Sequence, residues 1–262
     1  PGPPATVANE AGSAAFRILS RPPFMSPAPR LHAVQHPARD PESRPLLLVL
    51  HGLGDTHRGW EWLPGELDLP WMNYLLVDAP DPYFEGRSWF GLDLPGQPGS
   101  SPADPPTVRP AEVVRSRQAL HALLDACLAG GRTGGDLALL GFSQGCLMAL
   151  EAGLRYPHRL AAVVGISGWV HEVDRLVQEA PPEARQVPVL MTHGTWDPLI
   201  PCAAVEPQAR TLRAAGFDVA WQELAKEHTV DSRMEIGLIR AFLEAAFGRT
   251  SSGRVRRGRP ET

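Results

Sequence analysis

The sequence has few of the features that mark membrane-spanning, disulfide-rich or metal-binding proteins. No apolar run approaches the roughly 18 residues of a membrane-spanning helix, so we expect no stable membrane insertion. The three cysteines are odd in number and lack CxxC or metal-ligand spacing. They favour free thiols in a reducing, cytoplasmic compartment over a disulfide, and they indicate no metal site. With a net charge of −4, the chain as a whole does not indicate nucleic acid as a partner.

The chain does have the size and composition of one globular domain. It has 262 residues, of which 43% are hydrophobic and 21% are charged. Residues 1–12 are rich in Pro, Gly and Ala, and residues 248–262 contain five arginines and one glutamate. We expect both ends to be flexible and residues 13–247 to form the domain, as a monomer or homodimer.

Continuous apolar runs predict a parallel sheet. Strands that are buried on both faces consist of continuous apolar residues, whereas half-exposed strands alternate apolar and polar residues. The runs are "LLLVL", "YLLVDAP", "LALLGFS", "LAAVVGIS" and "VPVLMTHG". Helical patterns cover residues 111–129, 144–156, 203–215 and 232–247. An alternating early strand in "RLHAVQHP" and a last strand in "FDVAWQEL" complete the set. The fold class predicted is α/β, with a mostly parallel central sheet and helices on both faces.

One segment falls outside this alternation. Residues 80–110 contain eight prolines and are predicted to form a long irregular loop. Loops of that length in compact domains are commonly functional. We expect the 94–110 part to contribute to a lid or pocket wall, because it follows Trp89 closely.

A serine between two glycines marks the candidate nucleophile. "GFSQG" joins a buried strand to an apolar helix, with Ser143 at its centre. Such a five-residue match arises by chance in roughly one chain in ten at ordinary glycine content, so its context must decide. A sharp strand-to-helix turn needs glycines at 141 and 145 for clearance, and it holds the serine hydroxyl at a helix N-terminus. This context favours a nucleophile over an incidental serine.

The serine needs a base and a carboxylate later in the chain. His158, His171, His193 and His228 are the histidines that follow it. His228 comes after the last strand and before the final helix, where the base of such a fold is expected, whereas His193 suits structural support better. Asp197 follows a strand end and precedes the base, while Asp218 and Asp231 are poorly placed. The predicted triad is Ser143, Asp197 and His228.

Oxyanion donors are predicted on either side of the serine. One is the backbone N–H of Gln144, the residue after the nucleophile. The other is the backbone N–H of Leu53, in the glycine-containing "HGLGDT" that follows the "LLLVL" strand. Each such donor stabilises the transition state by roughly 3–4 kcal/mol.

Taken together, the motifs resemble a known family. "HGLGDTHRGW", "APDP…SWF", "GFSQG", "HGTWDPLIP" and "EHTV" occur in this order over roughly residues 45–247. The chain resembles the carboxylesterase and acyl-protein thioesterase (phospholipase/carboxylesterase) family of α/β-hydrolases. The resemblance implies cofactor-free and metal-free hydrolysis of a small ester or thioester through an acyl-enzyme. The implied site residues are Ser143, His228, Asp197, Leu53 and Gln144, with Trp89 beside the pocket.

Two positions depart from the family pattern, and several activities remain open. Cys146 stands where a second glycine usually follows "GFSQG", and Lys226-Glu227 replaces the glycine-containing segment before the histidine. The leading hypothesis is a serine carboxylesterase for short to medium acyl chains. The alternatives are a long-chain thioesterase or lysophospholipase, and a non-catalytic binding protein on the same fold. A peptidase is disfavoured because no separate domain would select peptides, and a dehalogenase because a carboxylate would replace Ser143.

Overall fold

The computed structural model describes residues 30–93, 107–231 and 233–249. The strands are β1 (Ala33–His36), β2 (Leu46–Leu50), β3 (Asn73–Val77), β4 (Asp81–Tyr83), β5 (Gly86–Ser88), β6 (Leu92–Asp93), β7 (Thr107–Val108), β8 (Leu137–Phe142), β9 (Ala162–Ile166), β10 (Val189–Gly194) and β11 (Val219–Leu224). The helices are α1 (Leu63–Leu67), α2 (Pro110–Ala129), α3 (Gln144–Gly153), α4 (Val173–Glu179), α5 (Cys202–Ala214) and α6 (Met234–Ala246). Short 3-10 turns cover His57–Trp60, Gly134–Asp136 and Pro182–Gln186.

Seven strands form one sheet in the order β1-β3-β2-β8-β9-β10-β11. All neighbours in it are parallel except β1, which pairs antiparallel with β3 at one edge. The predicted fold class is therefore confirmed. Because the carboxyl ends of parallel strands share one edge of the sheet, the segments that follow β2, β8, β9, β10 and β11 converge there.

The sheet is covered on both faces. Alternate residues of β2 belong to different cores: Leu46, Leu48 and Leu50 pack with residues of α2, α3, α4 and α5. Leu47 and Val49 pack with residues of α1 and α6 on the other face. This burial on both faces explains why β2 reads as an unbroken apolar run. In the described part of the chain, no helix combines the length and apolar character needed to cross a membrane.

The helix boundaries agree with the periodicity except at one end. Helices α2, α5 and α6 begin and end within two residues of the predicted bounds. The helix predicted over 144–156 instead ends at Gly153. Pro157 disfavours helical backbone at the residue before it, so the chain leaves the helix early.

The irregular loop predicted over 80–110 is corrected in part. Its first residues form the hairpin of β4 and β5, and β6 pairs with β7 across the segment. Residues 94–106, the centre of the predicted lid, lie outside the described residues, as do residues 1–12 and 250–262 of the two ends that we expect to be flexible.

Candidate active site

Ser143 lies in a strained turn between β8 and α3. Its backbone has φ 54° and ψ −115°, a conformation that L-residues rarely adopt. Two glycines allow the strand and the helix to approach so closely. A Cβ at residue 141 would lie 1.9 Å from the carbonyl oxygen of Gly145. A Cβ at residue 145 would lie 2.1 Å from that of Leu50. The turn therefore has the geometry of a nucleophile elbow.

The three predicted triad residues meet in one hydrogen-bonded chain. His228 Nε2 is 3.0 Å from Ser143 Oγ, and His228 Nδ1 is 2.7 Å from Asp197 Oδ2. The tautomer that satisfies both contacts carries its proton on Nδ1, which donates to Asp197, and accepts the Ser143 hydroxyl at Nε2. Among the described histidines that follow Ser143, only His228 hydrogen-bonds to it.

Asp197 is fixed as a carboxylate. Its side chain has no exposed surface, and Oδ1 accepts hydrogen bonds from the backbone N–H groups of Leu199 and Ile200, both at 2.9 Å. Burial alone would raise the pKa of Asp197. The hydrogen bonds from Ile200, His228 and Leu199 outweigh burial, and the pKa is lowered below its ordinary value. The group therefore stays ionised and can orient His228.

The other histidines occupy different surroundings. His193 is buried, and its Nε2 donates to the carbonyl of Ile200 at 2.8 Å, beside Asp197. Burial lowers the pKa of His193, so it supports the aspartate loop as a neutral ring. His158 is exposed, and His171 lies 3.8 Å from the Glu172 carboxylate.

Gln144 has a second contribution that sequence reasoning missed. It is the first residue of α3, and the first N–H groups of a helix have no partner within the helix. Its buried side chain also holds the segment after β5. Oε1 accepts from the Trp89 N–H at 3.1 Å, and Nε2 donates to the Phe90 carbonyl at 2.8 Å. One residue thus joins the serine turn to the wall of the site.

Leu53 follows β2 and borders a small groove. A Cβ on the neighbouring Gly52 would lie 3.4 Å from Ser143 Cβ, so this loop adjoins the serine. The groove has a volume of about 60 Å³. Its described lining residues are Leu53, Tyr83, Ser88, Phe90, Gly91 and Leu92. A larger depression of about 460 Å³ has Asp197, Glu206 and Glu223 among its described lining residues, and these carboxylates do not suit an acyl chain.

Trp89 lies beneath the site rather than on its surface. Its side chain has no exposed area, and its indole Nε1 donates to the His51 carbonyl at 2.9 Å. His51 in turn accepts the Ala79 N–H at Nε2 and contacts the Gly52 carbonyl through Nδ1. Burial lowers the pKa of His51, in keeping with a neutral ring that holds the loop. In this structure Trp89 supports the pocket through these contacts.

A hydrogen-bonded cluster joins His32, just before β1, and His57, in the loop after β2, to Asp78, which follows β3. His32 Nδ1 and His57 Nδ1 both lie 2.9 Å from Asp78 Oδ2, and the His57 backbone N–H donates to Oδ1 at 2.7 Å. These three side chains are close enough to hold a metal ion. Both carboxylate oxygens already accept hydrogen bonds, however, so the contacts are explained without an ion.

Replacing Asp78 with asparagine is expected to reduce stability at neutral pH and to have little effect in acid. Burial on its own would raise the pKa of Asp78, but the hydrogen bonds from His57 and His32 dominate and lower it. A carboxylate with a lowered pKa contributes stability above its unfolded pKa, near 3.9, and loses it as pH falls through the folded pKa. Urea unfolding of both proteins from pH 3 to 7 measures this. An equal difference at every pH would contradict the ionic explanation.

Comparisons with known proteins reveal similar sequences and a similar fold. The profile of the phospholipase/carboxylesterase family matches residues 31–246. Acyl-protein thioesterase 1 from Schizosaccharomyces pombe is 32% identical over 172 residues, which are 63% of this chain and 74% of the relative. Carboxylesterase SOBER1 from Arabidopsis thaliana is 32% identical over 220 residues, covering 80% of this chain and 94% of the relative. The crystal structure of esterase PE8 superposes with a TM-score of 0.72 at 28% identity, covering 83% of this chain and 99% of that one.

Proposed function

The chain belongs to the phospholipase/carboxylesterase family, and we propose that it is a serine hydrolase that cleaves carboxylic esters of short to medium acyl chains. The observation that carries the proposal is the contact chain from Ser143 Oγ through His228 to Asp197, with distances of 3.0 and 2.7 Å. A serine, a base and an orienting carboxylate within hydrogen-bond reach are what acyl transfer requires.

Catalysis would proceed in two acyl-transfer steps. Ser143 Oγ attacks the ester carbonyl carbon while its proton moves to His228 Nε2, and that proton then passes to the departing alcohol. Water repeats the sequence: it gives a proton to His228, attacks the acyl-enzyme and releases the carboxylic acid as Ser143 recovers its proton. Asp197 keeps Nδ1 protonated and stabilises the imidazolium throughout. The N–H groups of Leu53 and Gln144 would receive the oxyanion.

The groove beside Leu53 supports the preference for shorter chains. Its volume of about 60 Å³ and its apolar lining suit a small acyl group. A long-chain thioesterase or lysophospholipase is the second candidate, and one observation favours it. Tyr83 lines the groove and Phe84 next to it is 92% exposed, so apolar surface continues outward from the groove.

Hydrolysis of p-nitrophenyl esters from acetate to palmitate tests the proposal. A fluorophosphonate, which reacts with activated serines, should label one residue per chain and abolish all hydrolysis. Mass spectrometry of the digest should locate the adduct on Ser143. A peak at short to medium chains supports the esterase, and a peak at long chains supports the second candidate instead. No fluorophosphonate-sensitive hydrolysis of any ester or acyl thioester would overturn the enzyme proposal in favour of a binding protein.

A further inference from the structure

The only lysine of the chain is buried directly behind the site. Its side chain is 3% exposed. The ammonium of Lys226 has partners in three parts of the fold: Ser167 Oγ after β9 at 3.0 Å, the Thr229 carbonyl at 2.7 Å, and both oxygens of Glu235 at 2.7 and 2.8 Å. A buried ammonium is costly unless it is paired and hydrogen-bonded, and here the described partners use all three of its N–H groups.

Glu235 is the acidic partner of Lys226 in a buried ion pair. It lies in the first turn of α6, and its side chain has no exposed surface. Besides Lys226, it accepts the Asp231 backbone N–H at 2.8 Å. Residues 226–231 and 233–235 therefore lie around one buried pair of charges, and His228 is among them.

The same lysine is connected to the chain on both sides of His228. Its side chain holds the carbonyl of Thr229, the residue after the histidine. Its own backbone carbonyl accepts the N–H of Trp196, the residue before Asp197, at 3.2 Å. Lys226 thereby connects the loop that carries His228 to the loop that carries Asp197. Through Ser167 it also contacts the end of β9, and there the Ser143 N–H donates to the carbonyl of Ile166 at 2.9 Å.

The backbone conformation before His228 explains why no glycine is needed there. Glu227 is absent from the described non-glycine residues with positive φ, which are Asp68, Phe84, Ser143, Ser167 and Glu172. The turn before His228 therefore needs no residue with the conformational freedom of glycine. The hydrogen bonds and the ion pair of Lys226 stabilise this turn.

We propose that the buried Lys226–Glu235 ion pair is a positioning element that holds His228 between Asp197 and Ser143. The inference rests on the hydrolase function proposed above. Neither residue touches the reacting atoms, so both act through the base. Misplacement of a catalytic group by about 1 Å can reduce the rate about 100-fold, so a tether of this kind contributes to kcat.

Three variants separate positioning from general support. Lys226→Met and Glu235→Gln should each lower kcat about 10- to 100-fold with KM changed less than about threefold. Replacing a buried ion pair by apolar residues of similar volume is often neutral for stability, so Lys226→Met/Glu235→Met should fold. It should nevertheless keep the low kcat, because the Thr229 carbonyl has lost its donor. Arg117→Met, which removes a partner of the buried Glu151 elsewhere, is the matched control and should change stability alone.

The possible outcomes distinguish failure of the positioning proposal from failure of the hydrolase proposal on which it rests. Wild-type kcat in Glu235→Gln and in the stable double variant would overturn the positioning proposal while leaving the hydrolase intact. If the wild-type chain has no activity that depends on Ser143, the hydrolase proposal itself fails. A loss of kcat in Arg117→Met equal to that in Glu235→Gln would also contradict a specific effect on His228.

Discussion

Ser143→Ala is expected to lower kcat for p-nitrophenyl butyrate by about four to six orders of magnitude with little change in stability. The variant removes the proposed attacking oxygen, whereas the proposed oxyanion donors and the groove remain and would account for any residual rate. Alanine has the same unfavourable backbone preference as serine at φ 54°, so strain in the turn is retained. Burst and steady-state kinetics measure the rate, and thermal unfolding measures the stability.

His228→Ala should be almost as damaging, and the double variant with Ser143→Ala should be no worse than either. Residues that act as a unit in catalysis show such non-additive losses. Asp197→Ala would confuse loss of charge with collapse of the loop, since Leu199 and Ile200 donate to the same carboxylate. Asp197→Asn is the sharper change.

Asp197→Asn should reduce kcat about 10⁴-fold by selecting the wrong tautomer of the base. The backbone donors from Leu199 and Ile200 orient the asparagine oxygen toward themselves, which turns its NH2 toward His228 Nδ1. The ring must then accept at Nδ1 and carry its proton on Nε2, where it cannot take the serine proton. A loss of less than about tenfold in this variant would contradict an orienting aspartate, and the base would then need another partner.

The central sheet and the positions of the proposed triad residues are predictable from the sequence because their signals are local. Buried parallel strands are apolar throughout, and Ser143 and Asp197 each follow one of them, whereas His228 follows the half-exposed edge strand β11. Ser143 is marked by its two glycines, and Asp197 by the strand that ends at Gly194. Since strand ends converge at one edge, the order along the chain suffices to place His228 near both.

The hairpin of β4 and β5 is not predictable because distant backbone holds it. Its sequence, DPYFEGRS, contains one proline and one glycine, and it shows no alternation of apolar and polar residues that would indicate a strand. It docks instead on the loop after β2: the Gly54 N–H donates to the Arg87 carbonyl, and the Arg87 N–H donates to that of Asp55. A Cβ on Gly86 would lie 2.0 Å from the Gly54 carbonyl oxygen, so the approach depends on a glycine.

The contacts that support the site are not predictable from the sequence either, because their partners are distant in the chain or follow no regular spacing. Gln144 is predicted as a backbone donor, yet its side chain reaches residues more than 50 positions earlier in the chain. Lys226 and Glu235 are nine residues apart across a turn, and no helical or strand periodicity pairs such positions. In the sequence, Lys226 stands out only as part of the departure from the family pattern before His228, and its burial gives that departure a structural meaning.

Gly145→Ala is expected to reduce the free energy of unfolding by about 3 kcal/mol or more. Its new Cβ would lie 2.1 Å from the Leu50 carbonyl oxygen and 2.7 Å from that of His51. Both are backbone atoms of a central strand and its end, so neither can move away as a flexible side chain would. Relief requires α3 to withdraw from the sheet, which would also carry Ser143 away from His228.

Gly237→Ala is the matched control for that prediction. Gly237 lies in α6 with nothing within 4 Å of an added Cβ, and alanine there should stabilise the helix by about 0.5–1 kcal/mol. Urea unfolding of both variants measures the two effects with opposite signs. If Gly145→Ala were as stable as the wild type, the close contact between α3 and β2 would not exist in solution. The strained turn that presents Ser143 would then need another explanation, because this contact determines how close the helix N-terminus lies to the strand.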